Sequence, residues 1–244
     1  MRETLILIAC LLFLSGCGKT DKETSEQSKT DTAESKTETT EPSSVSGEGT
    51  AKDISKTGSG IEMHKFNKND MPSSIKYQGK IVEGAYWTDK NGDNILIITQ
   101  TGIKNINADE REQYLYAYHY INYDYGYSQL WNITDFVKSY CDVDASYIPN
   151  SLEIVDLDND DIAESIFLYK LDDRCDVSPL PLKLMMHKGD TKLVIRGTIG
   201  VDAGGGYKVK GTKNFDAAFD NVPAKFKEYA SDKWDKYLKD KEPK

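Results

Sequence analysis

Most of the chain after residue 60 alternates between apolar and polar positions with a period of two, which is typical of strands with one buried face. The segment 114–121 is the clearest case, because tyrosines occupy one face and mainly aliphatic residues the other. An Asn-Gly pair within the polar stretch 89–94 favours a hairpin turn. The pattern predicts strands at 79–88, 95–101, 114–121, 128–137, 152–155, 165–171, 182–187 and 192–199.

The hydrophobic period changes near the C-terminus. Pro223 suits the first turn of a helix, where its missing N–H is not needed, and apolar residues then recur at helical spacing. We therefore predict an amphipathic helix over 222–240 that packs its apolar stripe on the sheet. The stripe consists of Phe226, Tyr229, Ala230, Trp234, Tyr237 and Leu238. The predicted fold class is mainly β (α+β): an antiparallel β meander or sandwich-like domain with a C-terminal amphipathic helix.

The N-terminal segment has the features of an export signal. Arg2 precedes the apolar run 5–14, which is shorter than the ~20 residues that cross a bilayer but suits the core of a signal peptide. Residues 14–17, Leu-Ser-Gly-Cys, look like a lipobox. This resemblance implies a signal peptide at 1–16, lipidation of Cys17 and attachment to a membrane through the acyl chains.

The stretch that follows is different in composition from the rest of the chain. Residues 17–60 are rich in Ser, Thr and charged residues and contain no Phe, Trp or Tyr. Such a segment cannot bury enough apolar surface to fold, so we predict a disordered tether. Gly18, in place of aspartate, favours the outer membrane by resemblance to Gram-negative sorting rules. The predicted folded domain is 61–244.

The overall charge narrows the choice of partners. The formal net charge of −9 argues against a nucleic-acid partner, which would require a basic face. The remaining candidates are the membrane through the lipid anchor, a surface polysaccharide or another envelope protein.

The acidic segment 156–164 is the strongest chemical signal. Side-chain oxygens fall at its first, third, fifth and ninth positions, as in the short calcium loops of FG-GAP and related β-repeat proteins. Calcium takes six to eight oxygen ligands, which alternate residues of a tight loop can supply. We therefore predict a Ca²⁺ site. The expected ligands are the carboxylates of Asp156, Asp158, Asp160 and Glu164 and the main-chain carbonyl of Ile162.

One departure from the usual pattern leaves the calcium interpretation open. The sixth position of such loops is usually glycine but is Asp161 here, and the alternative is an acidic turn without metal. The segment 89–93 looks similar, but its glycine is misplaced, so we interpret it as a plain hairpin turn.

Two cysteines remain once Cys10 has left with the signal peptide and Cys17 carries lipid. In an oxidising envelope Cys141 and Cys175 are expected to form a disulfide, the alternative being two buried thiols.

The tyrosine-rich strand has two interpretations. Stacked phenols at Tyr114, Tyr116, Tyr118 and Tyr120 could form a platform for sugar rings. The alternative is aromatic pairing in the core beneath the C-terminal helix. No catalytic motif is recognised, and we assign no catalytic residue. His119 is the one side chain that we would test as an acid–base.

Several segments together resemble a family of Gram-negative envelope lipoproteins named for surface polysaccharide biosynthesis. They are 115–120, 130–137, 156–164, 176–179, 183–187 and 195–198, and the resemblance covers about 81–200. It implies a link to a surface polysaccharide but no reaction or catalytic residue. We therefore expect a non-catalytic, calcium-stabilised lipoprotein of the outer membrane that acts in polysaccharide assembly or display. The competing classes are a glycan-active enzyme and a protein-binding adhesion or scaffold module.

Overall fold

The structure is a computed structural model, and it describes residues 54–56, 61–239 and 241. All of them belong to one compact unit, Thr50–Lys244. The predicted signal peptide, the lipidation site Cys17 and most of the predicted tether lie outside the described residues. None of the helices in the described part of the chain has the length and apolar character needed to span a bilayer.

The first half of the described chain forms an antiparallel sheet, here called the N-terminal sheet. Its strands run in the order β1-β2-β3-β4-β6, with β5 and β7 also paired to β6. They are β1 (Ile54–Lys56), β2 (Glu62–Lys65), β3 (Lys80–Asp89), β4 (Gly92–Gln100), β5 (Lys104–Asn105), β6 (Arg111–Tyr123) and β7 (Gly126–Ser139). A short 3-10 helix, Lys68–Asp70, lies between β2 and β3.

The second half forms another antiparallel sheet, here called the C-terminal sheet. Its order is β15-β12-β11-β10-β8, with β9 also paired to β10. Its strands are β8 (Asp144–Tyr147), β9 (Glu153–Val155), β10 (Glu164–Asp172), β11 (Leu180–Lys188), β12 (Thr191–Ile199) and β15 (Thr212–Phe215). A separate hairpin consists of β13 (Val201–Gly204) and β14 (Tyr207–Val209), and the 3-10 helix Ala217–Asn221 follows β15.

The two sheets enclose the main hydrophobic core. Leu96, Leu115 and Trp131 of the N-terminal sheet contribute to the same buried cluster as Phe167 and Val194 of the C-terminal sheet. Side chains alternate between the faces of each strand, so every second residue of β4, β6 and β10 enters this layer. The predicted antiparallel, sandwich-like β fold with a C-terminal helix is confirmed.

The C-terminal helix α1 (Ala224–Leu238) covers the outer face of the C-terminal sheet. Phe226, Ala230, Trp234 and Leu238 are its buried residues, and they recur at the spacing of one helix face. Trp234 packs so closely on β12 that a Cβ added at Gly197 would lie 3.0 Å from its ring and 1.9 Å from the carbonyl oxygen of Thr212. The predicted helix and its apolar stripe are therefore confirmed, with slightly tighter bounds.

The N-terminal sheet begins inside the segment that we expected to be unstructured tether. Strand β1, at Ile54–Lys56, pairs with β2 through the register Ile54↔His64. The composition of this region hides the strand, because a short edge strand gains its stability from pairing rather than from an apolar pattern of its own. The sequence pattern also did not predict the short strands β2, β5, β8 and β13 to β15.

Candidate metal centre

The acidic segment forms the connection between β9 and β10. Asp156 follows the last residue of β9, and Glu164 is the first residue of β10. Between them the backbone turns sharply, with φ of 58° at Asn159 and 67° at Asp161. Asparagine and aspartate adopt this left-handed conformation more readily than most residues. Asp161 can therefore stand where similar loops carry glycine.

Asp156 holds the loop in its curved shape. Its side chain is buried, and its two oxygens accept hydrogen bonds from the backbone N–H groups of Asp160 at 3.3 Å and Asp161 at 3.1 Å. This arrangement satisfies two donors that the tight turn would otherwise leave without partners.

Glu164 lies at the base of the loop and is completely buried. One carboxylate oxygen accepts a hydrogen bond of 2.7 Å from the backbone N–H of Leu157. The other, Oε1, is buried and has no hydrogen-bond partner. Burial raises the pKa of this carboxyl to about 7, because an ionised group is poorly solvated there. A buried carboxylate oxygen without a hydrogen-bond donor is unusual, and either a cation or a water molecule would satisfy it.

Three carboxylates converge at this point. Oxygen atoms of Asp156, Asp158 and Glu164 all lie within 4.8 Å of one another, a spacing that allows a shared metal ion. The buried oxygen Oδ1 of Asp158 also lacks a hydrogen-bond partner. Three of the five predicted ligands are thus brought together, and this triad could hold a metal ion.

The other two predicted ligands are placed differently. Asp160 is outside the triad, and its Oδ2 lies 2.8 Å from the ammonium of Lys188. Its second oxygen accepts a hydrogen bond of 3.0 Å from the backbone N–H of Ile162. Coordination by Asp160 and by the Ile162 carbonyl remains a prediction.

Lys188, at the end of β11, supplies a positive charge that sequence reasoning missed. Its ammonium pairs with Asp158 and Asp160 and lies 3.6 Å from Oε1 of Glu164, within ion-pair reach but too far for a hydrogen bond. Burial alone would lower the pKa of Lys188, but the hydrogen bonds to Asp158 and Asp160 outweigh it and raise that pKa. No local motif signals this contact, because Lys188 is 28 residues away from Asp160 along the chain.

The second acidic turn, which joins β3 to β4, docks on the candidate metal loop. The backbone N–H of Lys90 donates to the carbonyl of Asp161 at 2.8 Å, and the N–H of Ala163 donates to Asp89 at 3.3 Å. The indole N–H of Trp87 holds the same Asp89 oxygen at 2.9 Å. The prediction of a hairpin turn at 89–93 is confirmed, and the turn links the N-terminal sheet to the loop.

Cys141 and Cys175 form the predicted disulfide, with Cα atoms 5.3 Å apart. The bond joins the residues just after β7 to the connection that follows β10. It therefore ties the two sheets together.

The tyrosine face of β6 is covered by the chain between β2 and β3, not by the C-terminal helix as the packing interpretation had it. Phe66, Met71, Ile75 and Tyr77 of this cover segment, residues 66–78, pack against the tyrosines. Helix α1 cannot reach them because it lies on the other sheet.

Hydrogen bonds hold the cover segment on the tyrosine rings. Tyr118 Oη accepts from the backbone N–H of Gln78 at 3.1 Å, and Tyr120 donates to the carbonyl of Lys76. Tyr116, Tyr118 and Tyr120 are buried, with neighbouring rings stacked, and Tyr114 is half-buried. Three of the four residues proposed for a glycan platform therefore serve as packing in this structure.

His119 lies in the core between the sheets. Its ring packs against Trp87 and Trp131, its Nε2 is 2.9 Å from Oδ1 of Asn94, and burial lowers its pKa to about 4. At 5% exposure it has little access to a substrate.

Comparisons of this chain with known protein families, with curated proteins and with solved structures gave no match. The resemblance to envelope lipoproteins of surface polysaccharide biosynthesis therefore rests on the sequence segments alone.

Proposed function

We propose that this protein is a lipid-anchored protein of the bacterial cell envelope whose β domain binds one calcium ion at the loop 156–164. It acts without catalysis in the assembly or display of a surface polysaccharide. The observation that carries the calcium site is the convergence of carboxylate oxygens from Asp156, Asp158 and Glu164 within 4.8 Å of one another, together with the buried Oε1 of Glu164, which receives no hydrogen bond.

The chemistry of the donors favours calcium among common metal ions. The triad offers only carboxylate oxygens, which suit hard cations rather than zinc or copper. The triad belongs to a curved loop rather than to an octahedral cage, and calcium tolerates irregular sets of six to eight oxygens better than magnesium does. Main-chain carbonyls and water would complete such a coordination sphere.

Thermal unfolding of the full chain in calcium and in excess chelator tests the metal site. A ligand that binds only the folded state raises the free energy of unfolding by about 2.7 kcal/mol at a hundredfold excess over Kd. We expect a clear rise in the unfolding midpoint with calcium and a smaller one with magnesium. Glu164→Gln should abolish the calcium response.

Asp161→Asn provides a matched control in the same loop. Its side chain is exposed, and asparagine tolerates the left-handed backbone at this position. This variant removes one carboxylate but should keep the calcium response. An absent response in the parent protein, or equal responses in both variants, would overturn the proposed site.

The lipid anchor is tested separately by metabolic labelling with a fatty acid in a Gram-negative host. Cys17→Ser should lose the label and leave the membrane fraction, because the sulfur that accepts the lipid is gone. Cys10→Ser is the matched control, since Cys10 lies within the predicted signal peptide. Label that persists in Cys17→Ser would exclude lipidation at this residue.

The link to polysaccharide is supported by the resemblance described above and by the proposed envelope location. Deletion of the gene should reduce the polysaccharide displayed on the cell surface, and the parent gene should restore it. If the Glu164→Gln gene restores the polysaccharide as fully as the parent gene, the calcium site is not needed for this role. Unchanged polysaccharide after deletion would exclude the role itself.

A further inference from the structure

A cleft lies on the opposite side of the C-terminal sheet from the sheet–sheet core, beside the C-terminal half of α1. Its volume is about 250 Å³, and Ile148, Leu168 and Tyr237 are among its apolar and aromatic lining residues. The volume is below the range of about 300–1,000 Å³ typical of drug-sized ligands, so it suits a compact molecule.

The wall opposite the helix is the turn 148–151, which strand β10 holds in place. Ile148 donates its N–H to the carbonyl of Leu168 at 2.9 Å, and Leu168 donates its own N–H to Ser151 Oγ at 3.0 Å. Asn150, also in the wall, has a left-handed backbone with φ of 62°. A wall held by such hydrogen bonds loses little freedom when a ligand enters.

The helix is fixed to strand β9, which follows this wall in the chain, through Glu153. One oxygen of Glu153 accepts a hydrogen bond of 2.7 Å from the hydroxyl of Tyr229, and the other pairs with the ammonium of Lys233. Both walls of the cleft are thus fixed relative to each other. The charge of Lys233 is neutralised in the process.

Two further lysines leave the cleft positively charged. Lys236 and Lys241 line it and are exposed, and no carboxylate among the described residues pairs with either of them. The ammonium of Lys241 donates to the carbonyl of Tyr237 at 3.0 Å and lies 4.0 Å from the centre of its ring. A local excess of cations stands out in a chain with a net charge of −9 and would attract an anion.

We propose that this cleft binds a small molecule that carries one carboxylate or phosphate group on a body the size of a single sugar ring. Lys236 and Lys241 would meet the anionic group, and the surface formed by Ile148 and Tyr237 would contact the ring. Lysine suits this role because its ammonium is a mobile point charge with three donors. The cleft shares no lining residue with the candidate metal loop 156–164, and the inference does not depend on calcium.

Calorimetric titration of the full chain, in excess chelator, tests this site with four probes. Glucose 1-phosphate and glucuronate carry the anionic group on a ring, glucose lacks the charge, and inorganic phosphate lacks the ring. We expect at least one of the two anionic sugars to bind tenfold or more tightly than both glucose and phosphate. Their relative affinities then distinguish a phosphate ligand from a carboxylate ligand.

Lys236→Glu should weaken the binding of the anionic sugar at least tenfold. Lys239→Glu is the matched control, because Lys239 caps the same end of α1 but does not line the cleft. It should change the affinity less than twofold. Unfolding midpoints measured for both variants would detect a general loss of structure.

Four outcomes would overturn the proposal. Equal affinity for glucose would show that charge is not recognised, and equal affinity for inorganic phosphate would show that the ring is not. Equal losses in Lys236→Glu and Lys239→Glu would assign the effect to the charge of the helix end rather than to the cleft. An absence of binding by both anionic sugars would also overturn it.

Discussion

At the scale of single residues, Lys188 and a metal ion would draw on the same carboxylates. The ammonium pairs with Asp158 and Asp160 and lies within ion-pair reach of Glu164. Without this charge, the buried carboxylates would repel one another at close range. Lys188 therefore supplies a countercharge to the acidic loop, and a bound ion would have to share its ligands with this lysine.

Lys188→Met tests this relation. In chelator we expect the free energy of unfolding to fall by about 2 kcal/mol, less than the 3–5 kcal/mol typical of a fully buried pair, because Lys188 is 26% exposed. The rise caused by calcium should exceed that of the parent protein, since the ion becomes the main countercharge. Thermal unfolding in both conditions measures the two effects.

Lys192→Met serves as the control for the lost lysine, because Lys192 is exposed on the neighbouring strand β12. It should leave the calcium response unchanged. Equal calcium responses in Lys188→Met and in the parent protein would contradict the competition.

The lowered pKa of His119 leads us to expect that the stability of the protein depends on pH. Its pKa of about 4 in the folded protein lies below the ordinary value of 6.5, because its core position disfavours the charged ring. The unfolded chain therefore binds more protons between these values. The contribution of neutral His119 to stability is full above about pH 6.5 and falls as the pH drops towards 4. This residue should contribute a loss of about 2.5 kcal/mol between pH 7.5 and 4.5.

His119→Gln should flatten this dependence while keeping an N–H donor for Asn94. Chemical unfolding of the parent and variant at a series of pH values measures the difference. The two stability curves should run parallel between pH 7 and 8 and converge below pH 6. Curves that stay parallel down to pH 4.5 would show that His119 does not cause the loss.

At the scale of elements, the packing of α1 depends on a close approach at Gly197. This glycine lies on β12 between β11 and β15, directly beneath Trp234. A methyl group there would meet the carbonyl oxygen of Thr212 at 1.9 Å, so the paired strand β15 would have to move. A side chain at position 197 would therefore disturb both the pairing of β15 with β12 and the packing of α1 on the sheet.

Gly197→Ala is expected to lower the free energy of unfolding by roughly 2–3 kcal/mol, in the range found for overpacked cores. Denaturant unfolding measures this change. Gly102→Ala is the matched control, because a Cβ at Gly102 would have no neighbour within 4 Å. A loss at Gly197 no larger than that at Gly102 would contradict the packing argument.

The cover segment shows a limit of strand-level reasoning. The alternation in β6 correctly predicted that its tyrosines share one face, but it could not identify what lies over them. The cover, residues 66–78, is mostly irregular chain whose contacts come from single residues such as Ile75 and Tyr77. Irregular segments carry no periodic signal, so their positions are decided by the surfaces that they cover.

At the scale of the whole molecule, the disulfide limits the freedom of the unfolded chain. Cys141 and Cys175 are separated by 34 residues, so the chain-entropy model assigns their bond about 4 kcal/mol. Cys141→Ser together with Cys175→Ser should lower the free energy of unfolding by this amount in denaturant titrations. The parent protein in reductant should lose the same amount. A change below about 1 kcal/mol would show that the bond contributes little.

The elements with local signals could be predicted from the order of the amino acids alone. Period-two alternation located most of the long strands, helical spacing located α1, and the count of cysteines led to the disulfide. The acidic loop was also recognisable, because alternating carboxylates and the left-handed tolerance of aspartate are properties of adjacent residues. These features depend on neighbours along the chain, so no knowledge of tertiary contacts was needed to find them.

The folding of the chain sets which charges and surfaces meet. It brought Lys188 to the acidic loop, docked the β3–β4 turn on it, and placed the cover segment over the tyrosines. It also formed the lysine-rimmed cleft between α1 and the turn 148–151. These contacts join residues far apart in sequence, and their energies arise from burial and charge pairing in the folded chain. No local sequence pattern predicts these contacts, because such residues are far apart along the unfolded chain and meet only when it folds.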